Sequence, residues 1–219
     1  MKVKFTAKAF KKTAALVADF ATEVEWHGFV QRTDDGFCVE DIVVFPHKAS
    51  GAYVESDQKE YEKWMDTLTD EQVNSMSLHG HSHVNMPPYP SGFDSEFRNK
   101  VLKNMPSPKY VDDVFYIFMI FNKEGQFTCQ VNDIKNDKVY IDKDVEVEFE
   151  DGDYDTTEFI AEAKELVKPF IPTCSEYVPK AVPISEVAKT LAMDILYGDE
   201  ELAEVAMEEL WRLRSYEFE

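Results

Sequence analysis

Cysteine is scarce in this chain, with 3 among 219 residues. Cys38, Cys129 and Cys174 stand far apart and form no Cys-x-x-Cys pair, so neither a disulfide framework nor a thiolate zinc site is suggested. Reduced thiols in a cytoplasmic setting are the expectation. Positive charge is also short: 23 Lys and Arg face 43 Asp and Glu, for a formal net charge of -20. Phosphate backbones and anionic membrane surfaces repel such a chain, so neither nucleic acid nor membrane is an expected partner. A basic protein or substrate would be attracted, and the same charge serves solubility. No apolar run approaches the roughly 20 residues that span a bilayer. Lys2, Lys4, Lys8, Lys11 and Lys12 precede only a short apolar stretch, Ala14 to Ala18, which Asp19 ends, so a signal peptide is not expected. Gly-rich phosphate loops, Gly-x-Ser-x-Gly elbows and basic stripes with interleaved aromatics are all missing.

What is present is the composition of a globular protein, 44% hydrophobic and 13% aromatic with 30% charged. The length suffices for one core and a small appendage. Phe10, Ala14, Val17, Phe20 and Val24 recur at intervals of three and four, predicting an amphipathic helix over residues 6–23 with an apolar face and a lysine-bearing face. Extended runs from Glu25 to Arg32 and Phe37 to Phe45 flank Thr33-Asp34-Asp35-Gly36, whose Asp-Gly is expected to supply the positive-φ residues of a hairpin turn. Pro46 to Ser56 reads as loop with a short strand, Asp57 to Thr69 as helix, and Met76 to His83 as strand. Asp94 to Asn104 reads as helix and the uncharged Val114 to Asn122 as a buried strand. Further strands are expected over Gln126 to Val131, Lys138 to Ile141 and Val145 to Phe149. The acidic stretch Asp142 to Asp155 places a boundary near residue 150. Helices are expected beyond it over Thr157 to Val167, Ile184 to Leu196 and Asp199 to Arg214.

One spacing carries chemistry. His81-Ser82-His83 is followed by seven residues and then Ser91-Gly92-Phe93-Asp94. Strand residues two apart point to one side, so His81 and His83 can converge on a single ion while Ser82 faces away. Pro87, Pro88 and Pro90 remove backbone donors and stiffen the intervening path, which reads as a rigid loop returning Asp94 to the histidines. Zinc accepts imidazole nitrogen and carboxylate oxygen, prefers four ligands, and in hydrolytic sites leaves one position for water. Ser91 and Asp94 also fit a helix N-terminus, as cap and dipole complement, and the two readings are compatible.

The pattern His-Ser-His, seven residues, Ser, two residues, Asp resembles the signature of the JAMM/MPN+ family of zinc metalloproteases, which includes deubiquitinating isopeptidases. Glu25-Trp26-His27-Gly28 resembles the family's upstream glutamate, three residues before a glycine on a strand. The likeness can be followed from about residue 6 to 135. It implies one Zn2+ held by His81, His83 and Asp94, with Glu25 as general base and Ser91 donating to the oxyanion of the tetrahedral intermediate. Glu23, on the same strand face, competes with Glu25 for the role of base. His79 stands where the family often has an aromatic residue, and is expected to have a structural or ligand-tuning part. Gly80-His81-Ser82-His83 also resembles the last metal motif of calcineurin-like metallophosphoesterases, but the earlier Asp-x-His and Asn-His-Glu motifs that those enzymes need are missing. His47, beside Pro46, is expected in a surface loop.

The resulting expectation is an α/β protein with a mixed sheet flanked by helices, in the manner of JAMM/MPN and cytidine-deaminase-like domains. Residues 1–150 form the metalloprotease-like domain and residues 151–219 an acidic helical C-terminal extension. The function implied is zinc-dependent hydrolysis of a peptide or isopeptide amide in a protein or peptide substrate, with a ubiquitin-like conjugate among the candidates. The alternative is a binding or scaffold module within an assembly, docking a protein partner through the C-terminal helices; those helices can equally pack back on the core.

Overall fold

The computed structural model describes residues 1–50, 54–107, 109 and 111–170. Chain order is β1 (Lys2–Phe5), α1 (Ala7–Asp19), β2 (Glu25–Arg32), β3 (Gly36–Val44), β4 (His47–Ala49), β5 (Val54–Glu55), α2 (Gln58–Met65), α3 (Asp70–Ser75), β6 (Met76–Ser82), α4 (Gly92–Asn104), β7 (Tyr116–Phe121), β8 (Phe127–Asp133), β9 (Lys138–Ile141), β10 (Glu146–Phe149), α5 (Thr157–Leu166) and β11 (Val167–Pro169). Eight strands make one mixed sheet in the order β10-β1-β3-β2-β6-β7-β8-β9, and β11-β4-β5 make a second. β2 pairs antiparallel with both β3 and β6, while β6 and β7 run parallel. Every residue of β7, Tyr-Ile-Phe-Met-Ile-Phe, is buried, as a strand covered on both faces requires.

Alternation along the strands gives the large sheet two chemically different faces. Trp26, Leu78, Ile117, Met119 and Phe121 enter the hydrophobic core with Leu16 and Val17 of α1. Gly80 lies between two histidines on β6, and a Cβ there would stand 2.4 Å from the Trp26 ring. On the other face His27 packs against Tyr61 and Trp64 of α2, and His79 against Phe97 of α4. The expected mixed sheet flanked by helices is present. Among the described residues no helix is long and apolar enough to cross a membrane.

Several local expectations change. The buried residues of α1 are Ala9, Lys12, Thr13, Leu16 and Val17, so the core-facing stripe is rotated from the one that Phe10 and Ala14 predicted. Lys12 is 8% exposed because Asp41 receives its Nζ at 2.7 Å and Ile42 O at 3.3 Å; a distant partner makes burial of the ammonium tolerable. The single helix expected over residues 57–69 ends at Met65, and Thr69 caps a second one, α3, in a reciprocal capping box with Gln72.

β1 was not foreseen, and it explains Gly36. Neither Asp35 nor Gly36 has positive φ, contrary to the turn expected there. Instead β1 runs parallel to β3 with Lys2 opposite Gly36, and a Cβ on Gly36 would lie 1.9 Å from Lys2 O. The glycine permits close backbone approach rather than a left-handed turn. Gly36→Ala is therefore expected to destabilise the protein by about 2 kcal/mol or more in urea unfolding. Gly92→Ala, where a Cβ meets nothing within 4 Å, should have no comparable cost.

Residues Met1–Ile171 form one compact unit. Beyond the boundary expected near 150, Ala163 and Val167 are part of the same core, and β11 pairs with β4. The segments assigned from sequence to the last two helices, 184–196 and 199–214, lie outside the described residues.

Candidate metal centre

His81 and His83 project from the C-terminal end of β6 and just beyond it, on the face opposite Trp26. His83 N donates to Phe121 O at 2.8 Å, so the neighbouring central strand holds the chain at the second histidine. The next residue, Val84, has φ 50, a conformation rare for a β-branched side chain and a local store of strain. That turn is fastened from outside: Lys123 N donates to Val84 O at 2.7 Å and Met86 N to His83 O at 2.8 Å. Thr128 Oγ1 donates to Pro88 O at 2.8 Å. The proline loop thus returns to the start of α4, where Ser91 and Asp94 form a capping box. Asp94 N donates to Ser91 Oγ at 3.2 Å and Ser91 N to Asp94 Oδ2 at 2.6 Å.

The loop brings the three predicted ligands together. His81 Nε2 lies 3.1 Å from His83 Nε2 and 3.1 Å from Asp94 Oδ1, and His83 Nε2 lies 3.6 Å from Asp94 Oδ2. Donors at zinc-ligand bond lengths in a tetrahedral shell would be about 3.3 Å apart, so the triangle has the size of one face of such a shell. Backbone contact fixes the chemistry of His83: its Nδ1 donates to Pro87 O at 2.9 Å, which leaves Nε2 with its lone pair toward the other two groups. Two imidazole nitrogens and a carboxylate, clustered and largely buried, could hold a metal ion.

Electrostatics favour that use at His81 and Asp94. Burial lowers the His81 pKa against the opposing pull of Asp94, favouring the neutral imidazole that a metal needs. A hydrogen bond donated to Asp94 raises that of His83. Burial alone would raise the Asp94 pKa, but hydrogen bonds from His81 and His83 hold it well below the carboxylate range.

Both candidate bases reach the same cleft. Glu25 is directly opposite His81 in the β2–β6 pairing, and its backbone N–H donates to His47 Nε2 at 3.3 Å. His47 Nδ1 in turn donates to Phe45 O at 2.8 Å. His47 is 3% exposed, so the expected surface-loop position is corrected: pairing of β4 with β11 and β5 encloses it. No local signal could have placed it, because the enclosing strand comes from residues 167–169. His79 Nε2 lies 3.9 Å from Glu25 Oε1. Burial drives the His79 pKa well down, so this contact is between a carboxyl and a neutral ring. All five histidines of the chain are buried, and the rings of His27, His79, His81 and His83 form a continuous series.

The cleft has a volume of about 700 Å³, with Glu23, Glu25, His79, His81, His83, Ser91 and Asp94 on its walls. Burial, followed by repulsion from Glu23 and Asp94, pushes the Glu25 pKa up to about 8. Burial also raises that of Glu23 to about 7, with His83 pulling the other way. The folded, metal-free protein therefore keeps protons that the unfolded chain has lost above about pH 4.5, and its stability falls as pH rises through 7 and 8. In chelator, unfolding free energy should drop by roughly 2 kcal/mol between about pH 6.5 and 8, and Glu25→Gln should remove much of the drop. Urea titrations at the two pH values test this; identical midpoints would contradict it.

Phe97 and Tyr61 carry no site signal in the sequence. Phe97 covers His79 with ring centroids 4.5 Å apart, and Tyr61 Oη lies 3.0 Å from His27 Nε2. Both sit at helical positions that read only as apolar faces. No protein-family model matches this chain and no curated protein matches it, so the functional reading rests on the site and the sequence pattern.

Proposed function

We propose that this protein is a zinc-dependent hydrolase of amide bonds, of the JAMM/MPN+ type, acting on a peptide or isopeptide. The observation that carries the reading is the convergence of His81, His83 and Asp94 into a triangle of ligand-shell size, with the Glu25 carboxyl on the facing strand and open to the same cleft. The donor set suits zinc, since two imidazoles and one carboxylate leave one tetrahedral position open. When bound there, zinc would supply Lewis acidity toward water and a carbonyl oxygen.

The remaining steps belong to the chain. Glu25 takes a proton from the attacking water as the new C–O bond forms, and delivers it to the amide nitrogen as the C–N bond breaks. Its raised pKa suits it to holding that proton in transit, and a cation at the neighbouring triad favours the ionised form at the start of the cycle. Ser91 Oγ accepts from Asp94 N, and its hydroxyl donates to the carbonyl oxygen as that oxygen becomes negative. Neutral His79 and Phe97 form an apolar backing that limits water around the carboxyl.

The test is incubation of zinc-loaded protein with fluorogenic short-peptide amides and C-terminal ubiquitin-like amides, with and without chelator. Cleavage that stops in chelator and returns with zinc is expected. Cleavage indifferent to chelator, or absence of zinc binding, would overturn the proposal.

A further inference from the structure

The proposed reaction needs one carboxylate, and the cleft has another. Pairing with β6 continues past the start of β2: Ser82 N donates to Val24 O at 3.0 Å, and Val24 N to Ser82 Oγ at 3.2 Å. Glu23 N is held by Ser50 O at 2.9 Å. With Glu25 opposite His81, this path sets Glu23 level with His83, on the side of the sheet that forms the cleft wall. Glu23 is 8% exposed, and among the described residues no hydrogen bond or ion pair engages its carboxyl, although the charge of His83 attracts it.

An ionised carboxylate withdrawn from water without a partner is costly, and a cation brought by a ligand relieves that cost. Among the described residues neither Lys nor Arg lines the cleft. Arg98, on the nearby helix α4, is engaged by Gln130 Oε1 at 3.0 Å and stacks over Phe118. At the mouth Met86, Tyr89 and Phe93 are exposed. These apolar side chains suit the methylene stem of an alkylammonium, and the rings offer it cation–π contact.

We propose that Glu23 is the cation-selecting element of this cleft, receiving an ammonium group carried by the substrate, whether a lysine side chain or a free α-amine. The word substrate rests on the hydrolase reading above, but ammonium recognition is measurable without turnover, so the two can fail separately. If the α-amine is the group bound, the protein selects chain ends; if the lysine side chain, it selects a residue type.

The experiment is calorimetric titration of the full chain with four small probes in about 0.15 M salt, where the field of the -20 net charge is screened beyond about 8 Å. Nα-acetyl-lysine methylamide is paired with its norleucine isostere, and alanine methylamide with its N-acetyl form. One ammonium probe is expected to bind at least about 10-fold more tightly than its uncharged counterpart, as a charge-assisted hydrogen bond allows. Glu23→Gln should erase the difference and Glu23→Asp should keep part of it, with circular dichroism confirming that both fold. The substitution removes one charge of a large excess, so a general attraction for cations would survive it. Equal affinities within both pairs, a preference that persists in Glu23→Gln, or no ammonium-dependent binding up to roughly 10 mM would overturn the proposal.

Discussion

Glu25→Gln is expected to lower amide turnover by about 100- to 10,000-fold, the range that a positioned general base contributes, while leaving zinc stoichiometry unchanged. The glutamine keeps the shape and the backbone contact to His47 Nε2, but it cannot accept a proton. Because Glu25 is outside the triangle of His81, His83 and Asp94, metal content should not follow activity downward. Comparison with Glu23→Gln separates the two carboxylates. On a substrate without an ammonium group, Glu25→Gln should cost far more turnover than Glu23→Gln. Single-turnover kinetics beside metal analysis provide the readout, and normal cleavage by Glu25→Gln would end the assignment of the base.

His81→Ala should have the opposite signature, abolishing activity by losing the metal. Its Nε2 is the shared vertex of the two 3.1 Å edges of the triangle, and its removal leaves His83 and Asp94 separated by 3.6 Å. Replacing residues that merely support metal ligands costs 10- to 100-fold in affinity, so loss of a ligand should exceed about 100-fold. Purified variant should contain near-zero zinc where the parent binds one ion, and its thermal midpoint should no longer rise on adding zinc. His79→Ala is the contrast. Its ring faces Glu25 at 3.9 Å rather than the triangle, so zinc should remain bound while turnover falls. A His81→Ala protein that keeps a full equivalent of zinc would refute the proposed ligand set.

The sequence by itself determined the elements whose signals are local. The two-residue spacing of His81 and His83 on a strand, the prolines of the loop, and the start of α4 at Ser91-Gly92-Phe93-Asp94 follow from backbone periodicity and capping chemistry, which neighbours in the chain decide. The runs that became β2, β6 and β7 were legible for the same reason. Only the tertiary structure decided which carboxyls reach the histidines, because that depends on β2 lying antiparallel to β6 with Glu25 against His81. It also converted His47 from an apparent loop residue into the buried acceptor of the Glu25 N–H, through strand pairing with residues 167–169. Lys12 and Gly36 show the same division. An ammonium became buried because Asp41 lies beside it, and a turn-like glycine became a strand residue because β1 passes against it. Contacts between residues far apart in the chain leave no periodicity to read, since each half of such a pair is chemically ordinary until the fold brings the other to it.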